Sequence, residues 1–248
     1  MRRTLVIGAT SAIAAQVAQQ CAARGEALYL LGRDEAKLAA LTASLGAAVR
    51  GSAAADFTET SGNAARVEEA ARVLGGIDSA FIAHGDLGDQ LESERSYEHA
   101  EHVISVNLLS VISFLVPLAN RMEAERGAGR AIVVLSSVAG DRGRPRNYTY
   151  GSAKAALNVY LMGLRSRLYG KGVRIVGVRL GPVDTPMTIH HDKNVLFARP
   201  EAVATTIVAA RDRGPEDVYV PWYWRPIMAT VRALPERIFQ RFGFLAGR

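Results

Sequence analysis

The stretch Thr4-Leu5-Val6-Ile7-Gly8-Ala9-Thr10-Ser11-Ala12-Ile13-Ala14 joins a short apolar run to a turn of small residues and then to an Ala-rich segment. An apolar run with no polar alternation reads as a strand covered on both faces, as in a parallel sheet. The segment Ala12–Arg24 reads as a helix. Strand, tight turn and helix N-terminus together make an anion site, because backbone N–H groups and the positive end of the dipole face the turn. A side chain larger than methyl would hold a pyrophosphate away from that backbone. Only Gly8 among the residues from Gly8 to Ala14 is glycine, so a plain tight turn into a helix fits this stretch as well.

Outward from this point the pattern repeats. Strand signals fall near Thr4–Ile7, Ala27–Leu31, Ala47–Gly51, Ile77–Ala83, Ala131–Ser136, Arg174–Leu180 and Val218–Pro221. Helical stretches lie between them at Ala12–Arg24, Asp34–Leu45, Thr60–Leu74, His99–Glu125, Tyr150–Tyr169 and Pro200–Arg211. The alternation predicts an α/β fold: a single Rossmann-type, doubly wound parallel sheet of about seven strands with helices on both faces. Ligands in such folds bind beyond the carboxyl ends of the strands. Residues 1–221 are expected to form the dinucleotide-binding and catalytic unit, and 222–248 a basic amphipathic extension of it.

At 248 residues and 49% apolar, the chain can bury a full core. A single cysteine, Cys21, excludes an intrachain disulfide and reads as a small buried side chain. No run of about eighteen apolar residues is evident, so no membrane span is expected. The first strand starts almost at Met1, so no leader is expected and the cytoplasm is the expected location. The net charge is +6, of which +4 comes from five arginines and one acid between Trp222 and Arg248. The remainder is close to neutral, which disfavours a nucleic-acid-binding surface.

The second strand ends in Leu31-Gly32-Arg33-Asp34. An acid at this strand end takes the ribose 2′-hydroxyl of NAD, whereas an arginine accommodates a 2′-phosphate. Arg33 supplies a planar fork suited to phosphate, so NADP(H) is expected over NAD(H). Asp34 instead suits the N-cap of the next helix. Asp56, after the third strand, is a candidate adenine contact.

Ser136-Ser137 closes another strand and is followed by Tyr150-Gly151-Ser152-Ala153-Lys154. Helix positions i and i+4 share a face, so Tyr150 and Lys154 can meet. A free tyrosine has a pKa of about 10, and an adjacent ammonium is expected to bring it down toward the working range. Ser137 can donate a hydrogen bond to a carbonyl oxygen. Tyr148, with no lysine four residues on, is the weaker candidate.

With these pieces the chain resembles the short-chain dehydrogenase/reductase family along nearly its whole length. The matching residues are Gly8–Ala14, the Asp56 region, Ala83-His84-Gly85, Asn107, Ser136–Gly140, Tyr150–Lys154 and Gly181–Thr185. The resemblance implies an NADP(H)-dependent oxidoreductase interconverting a carbonyl and a secondary alcohol, with Tyr150 as acid/base. Lys154 would bind the nicotinamide ribose, Ser137 would polarise the carbonyl, and Asn107 would hold a water in a proton relay. Gly8, Thr10, Ser11, Ala12, Ile13, Ala83, His84 and Gly85 would contact the cofactor. Pro182, Val183 and Thr185 would line its carboxamide. The family also implies a homodimer or homotetramer built through the long helices His99–Glu125 and Tyr150–Tyr169.

Three departures stand out. Ala12 and Ala14 replace the second and third glycines of the family's turn, and His84 interrupts its Asn-Asn-Ala-Gly. The C-terminus is also longer and richer in arginine. Residues 227, 231, 234, 238 and 242 follow helical spacing, with Pro235 a break. That stripe suits a helix packed on the body or on a neighbouring subunit, or a basic helix resting on lipid headgroups at the inner face of the membrane. His190-His191-Asp192, in the segment that resembles the family's substrate lid, is not expected to bind metal. The turn, Ala83-His84-Gly85 and the tail resemble the branch containing decaprenylphosphoryl-2-keto-ribose reductases, which implies a hydrophobic keto substrate such as a polyprenyl-phosphate-linked keto-sugar. The alternatives are a non-catalytic dinucleotide sensor and a membrane-docked scaffold.

Overall fold

The strands are β1 (Arg3–Ile7), β2 (Ala27–Gly32), β3 (Val49–Ala54), β4 (Ser79–Ile82), β5 (Arg130–Ser137), β6 (Val173–Leu180) and β7 (Asp217–Val220). The structure, a computed structural model, describes residues 1–125, 129–188 and 196–241. Among these residues the strands form one seven-stranded sheet in the order β3-β2-β1-β4-β5-β6-β7, with every neighbouring pair parallel. Strands are added outward to one side of β1 up to β3 and to the other side from β4 onward, and this switch point opens the crevice where ligands of doubly wound folds bind. The expected fold class is the observed one.

The helices are α1 (Ala12–Ala23), α2 (Glu35–Leu45), α3 (Asn63–Leu74), α4 (Gln90–Arg95), α5 (Tyr97–Ile104), α6 (Ser110–Ala124), α7 (Tyr148–Leu168), α8 (Pro200–Asp212), α9 (Trp224–Ala233) and α10 (Glu236–Arg241). Strand side chains alternate between two cores. Leu5, Ile7, Tyr29 and Leu31 face α3, α6 and α7, whereas Val6, Leu28 and Leu30 face α1, α2 and α8. The run that lacked polar alternation is therefore covered twice, as two-sided burial requires.

A π-helical turn, Ser105–Leu109, links α5 to α6, so 97–124 is one continuous helix. By length and composition alone it would suffice to cross a membrane. Val111, Phe114, Leu115, Leu118 and Met122 pack instead into the core beside α3 and α7. Cys21 is buried in the opposite core, and burial pushes its thiol up to about 12.

The tail differs from the expected stripe. Trp224, Met228, Val231 and Phe239 are buried against Val138, with Ile227 and Leu234 only partly covered and Ile238 exposed. Pro235 does break the helix. The packed face is thus rotated from the one read in the sequence, because the large Trp224 ring anchors α9 beside the end of β6. Phe242, the last position of the expected stripe, lies outside the described residues.

Candidate active site

The turn after β1 is held from both sides. The Gly8 and Ala9 amides both donate to the Leu31 carbonyl, at 2.9 and 2.8 Å. Gly8 has φ +80°, and a Cβ there would stand 2.6 Å from the His84 backbone nitrogen, so only glycine fits. Ser11 caps α1 by accepting a hydrogen bond from the Ala14 amide at 3.2 Å. The N–H groups of Ala12 and Ile13 open the helix and have no intrahelical acceptor. Thr10 lies against Gly32, where an added Cβ would meet its methyl at 2.8 Å. This narrow cradle of small residues at a helix N-terminus, at the crevice of the sheet, fits the pyrophosphate of a dinucleotide.

At the end of β2, Asp34 accepts a hydrogen bond from the Lys37 amide at 3.0 Å and caps α2. Its carboxylate is committed to the helix, and the cap holds its pKa below the usual range. Arg33 is exposed and close enough to Asp56 to lower that acid's pKa, behind the larger effect of the Thr58 hydrogen bonds. Asp56 accepts from both the amide and the hydroxyl of Thr58, each at 2.9 Å. It remains at the rim of the crevice beside Arg33.

After β4, His84 is buried. Its ring stacks on Phe57 with centroids 4.4 Å apart, meets Phe114 edge-on, and places Nε2 3.0 Å from the Ser110 hydroxyl. Burial, then the nearby Lys154 charge, lowers its pKa to about 3, so the imidazole is neutral. These contacts hold the loop that lies against Gly8. A Cβ on Gly85 would stand 2.8 Å from Asn107 Oδ1 and 3.5 Å from Lys154 Nζ, so this glycine lets the two side chains converge. Asn107 sits in the π-helical turn, a feature frequent at functional sites. Its amide nitrogen donates to the carbonyls of Asp86 and Val103, and its oxygen accepts from the Asp86 amide. The side chain thus ties the loop after β4 to the π-helical turn.

Two glycines bring the end of β5 onto α7. A Cβ on Gly140 would stand 2.8 Å from the Ala155 nitrogen, and one on Gly151 would stand 2.8 Å from the Ala139 carbonyl oxygen. Ser137, Tyr150 and Lys154 meet across this contact. The Lys154 nitrogen lies 5.5 Å from the Tyr150 ring centroid and donates to the Leu135 carbonyl at 3.3 Å. Burial lowers the lysine to about 8. Burial also raises Tyr150 to about 12, opposed by a hydrogen bond from Ser137 that favours the phenolate. This corrects the expectation of a lowered tyrosine pKa: desolvation of the phenolate outweighs its stabilisation in the protein by itself.

Beyond β6, Val183 is buried and bridges Ala198, while the Thr188 hydroxyl donates to the Val183 and Thr185 carbonyls. Pro182–Thr185 thus forms a fixed wall at the carboxyl edge of the sheet. The triplet His190-His191-Asp192 lies outside the described residues. Sequence reasoning missed Gln90, whose side-chain oxygen accepts from the Thr149 amide at 3.0 Å and caps α7. It also missed Arg142. That guanidinium donates to the Val231 and Leu234 carbonyls at 2.7 and 2.5 Å, and to Glu236 at 2.7 Å. It lies 4.1 Å from the Phe239 ring centroid. The Asp141-Arg142-Gly143-Arg144-Pro145-Arg146 run, directly between Ser137 and Tyr150, was the available signal.

A family model for short chain dehydrogenases matches residues 2–195. An uncharacterized oxidoreductase of Mycobacterium tuberculosis is 35% identical over 243 residues, covering 96% of this chain and 95% of its own. An uncharacterized oxidoreductase of Streptomyces coelicolor is 36% identical over 244 residues, covering 97% of this chain and 95% of its own. A solved short chain dehydrogenase from Burkholderia cenocepacia in complex with NADP shares the fold, with a TM-score of 0.82 at 20% identity over 97% of this chain and 98% of its own. The chain belongs to the short-chain dehydrogenase/reductase family. It is an oxidoreductase of that family.

Proposed function

We propose that this protein reduces a carbonyl group to a secondary alcohol using NADPH, with Tyr150 as the proton donor. The observation that carries the reading is the convergence of Ser137, Tyr150 and Lys154 at the carboxyl edge of the sheet that also bears the Gly8 turn. The Gly8–Ile13 turn would hold a nicotinamide dinucleotide, which would supply the hydride. Tyr150, protonated at neutral pH, gives its proton to the substrate oxygen, and Ser137 hydrogen-bonds that oxygen. Lys154 holds positive charge beside the phenolate that remains. Asn107 fixes the loop from Gly85 to Asp86, which keeps Lys154 in place. The exposed Arg33, with Asp34 occupied as a cap, supports preference for the 2′-phosphate of NADP(H) over NAD(H).

Tyr150→Phe tests the reading. NADPH oxidation with carbonyl substrates should fall by at least about a thousandfold, the scale of an acid–base group, while NADPH binding persists. Unchanged turnover would refute the assignment.

The substrate is proposed to be hydrophobic, such as a keto-sugar on a polyprenyl phosphate, on the strength of the turn, the Ala83-His84-Gly85 segment and the tail. Exposed Trp222 and Ile238, with Arg237 and Arg241 beside the latter, support peripheral contact with the cytoplasmic face of a membrane. Exposed Val116, Val159 and Met162 on α6 and α7 support a homodimer or homotetramer through these helices. Sedimentation velocity giving only monomer at micromolar protein would overturn that assembly.

A further inference from the structure

Among the described residues, the β5–α7 loop carries a guanidinium with no ion-pair partner, Arg144. Arg144 lies between this loop and α9, with one terminal nitrogen donating to the Met228 thioether at 3.2 Å. A thioether is a weak acceptor. The Arg144 Nε is buried without a partner, and among the described residues no carboxylate lies within ion-pair range of Arg144. The acid whose charge acts on it is Asp141, already taken by Arg179 and by the Tyr219 hydroxyl at 2.8 Å. Burial accordingly draws the Arg144 pKa down. The neighbouring arginines contrast with it: Arg142 has Glu236, and Arg179 has Asp141 and Asp217.

Its position is the second observation. Met228 belongs to the cluster that includes Val138, next to Ser137, and Trp224, whose indole presses on Gly181 at the end of β6. Asn147, three residues before Tyr150, carries a buried side-chain oxygen with no partner in the same loop. The charge therefore sits at the carboxyl edge of β5 and β6, on the tail side of Ser137 and Tyr150. The Gly8 turn, after β1, lies on the other side of β4 in the sheet.

We propose that Arg144 binds an anionic group of the substrate, a phosphate or carboxylate, and thereby orients the carbonyl toward Tyr150. A partly desolvated guanidinium gains most from such a partner, because its planar fork pairs with two oxygens at once and ends the cost of an unpaired buried donor. The assignment deepens the reductase reading and rests on it.

The test reads binding, not turnover. Protein saturated with NADP⁺, so that its own phosphate sites are filled, is titrated calorimetrically with phenyl phosphate, benzoate and the uncharged benzyl alcohol. At least one of the two anions should bind more tightly than benzyl alcohol, and which one does so tells phosphate from carboxylate. Arg144→Gln should weaken the preferred anion by about tenfold or more, while exposed Arg146→Gln leaves it within about twofold. Equal anion affinity in Arg144→Gln, an equal loss in Arg146→Gln, or no preference for either anion over benzyl alcohol overturns the proposal. If Arg144→Gln no longer binds NADP⁺, Arg144→Lys decides by the same titration, since it keeps the charge and loses the fork. Tyr150→Phe should bind the anion like the parent, so failure of the acid–base assignment and failure of this one are separate results.

Discussion

The Lys154 ammonium nitrogen lies 5.5 Å from the centroid of the Tyr150 ring, and burial acts on the two groups in opposite directions. Each is pushed toward its neutral form. The folded lysine titrates near 8, whereas an unfolded one titrates near 10.4, so above pH 8 the unfolded state binds more protons. Stability contributed by this residue therefore rises with pH through that window. The tyrosine acts later and in reverse: above about pH 10 the folded state keeps a proton that the unfolded state has lost. Relative to Lys154→Met, the parent should gain about 2 kcal/mol between pH 7 and pH 9.5, measured by urea denaturation. A pH-independent difference would mean that the lysine is solvated in the folded protein.

Arg33→Ala should weaken NADPH binding by about tenfold or more and leave NADH within about twofold, read by fluorescence titration. Equal losses for both cofactors would remove Arg33 from the 2′-phosphate. Asp34→Ala would then show a different signature, a loss of helix stability of about 1 kcal/mol through the lost cap.

Phe239 is buried with Trp224 and Met228, and the Arg142 guanidinium lies on its ring. Phe239→Ala should lower stability by about 3 kcal/mol, the cost of emptying such a site. A loss under about 0.5 kcal/mol would show that α10 does not hold to the body in solution.

Vesicles containing anionic lipid should sediment the full chain more than a chain ending at Pro221. Trp222→Ser, which removes an exposed indole, should lie between the two. Identical pelleting of all three proteins would end the case for lipid contact through the tail.

The sheet was legible because apolar runs such as Thr4–Ile7 and Ile132–Leu135 need cover on both faces, and two-sided burial leaves no other home for them. Ser137, Tyr150 and Lys154 were legible because helical spacing and strand ends fix where side chains point. What escaped depended on balances that spacing does not encode. The direction of the Tyr150 shift is decided by desolvation, which is known only once the site is enclosed. The phase of α9 was misread because one residue, Trp224, outweighs the regular stripe by its size and by its fit against Gly181. Likewise, Gln90 gives no hint in the sequence that it reaches the start of α7, since the two are far apart in the chain.

The Arg142 clamp also has a consequence for biosynthesis. The loop that follows Ser137 and bears Arg142 is translated some ninety positions before the acceptors of that arginine on Val231 and Leu234. On a ribosome the strands β1 to β5 can form first, while this loop waits for a segment some ninety residues further on. Loss of α9 and α10 by proteolysis would release the loop that Arg142 ties to them.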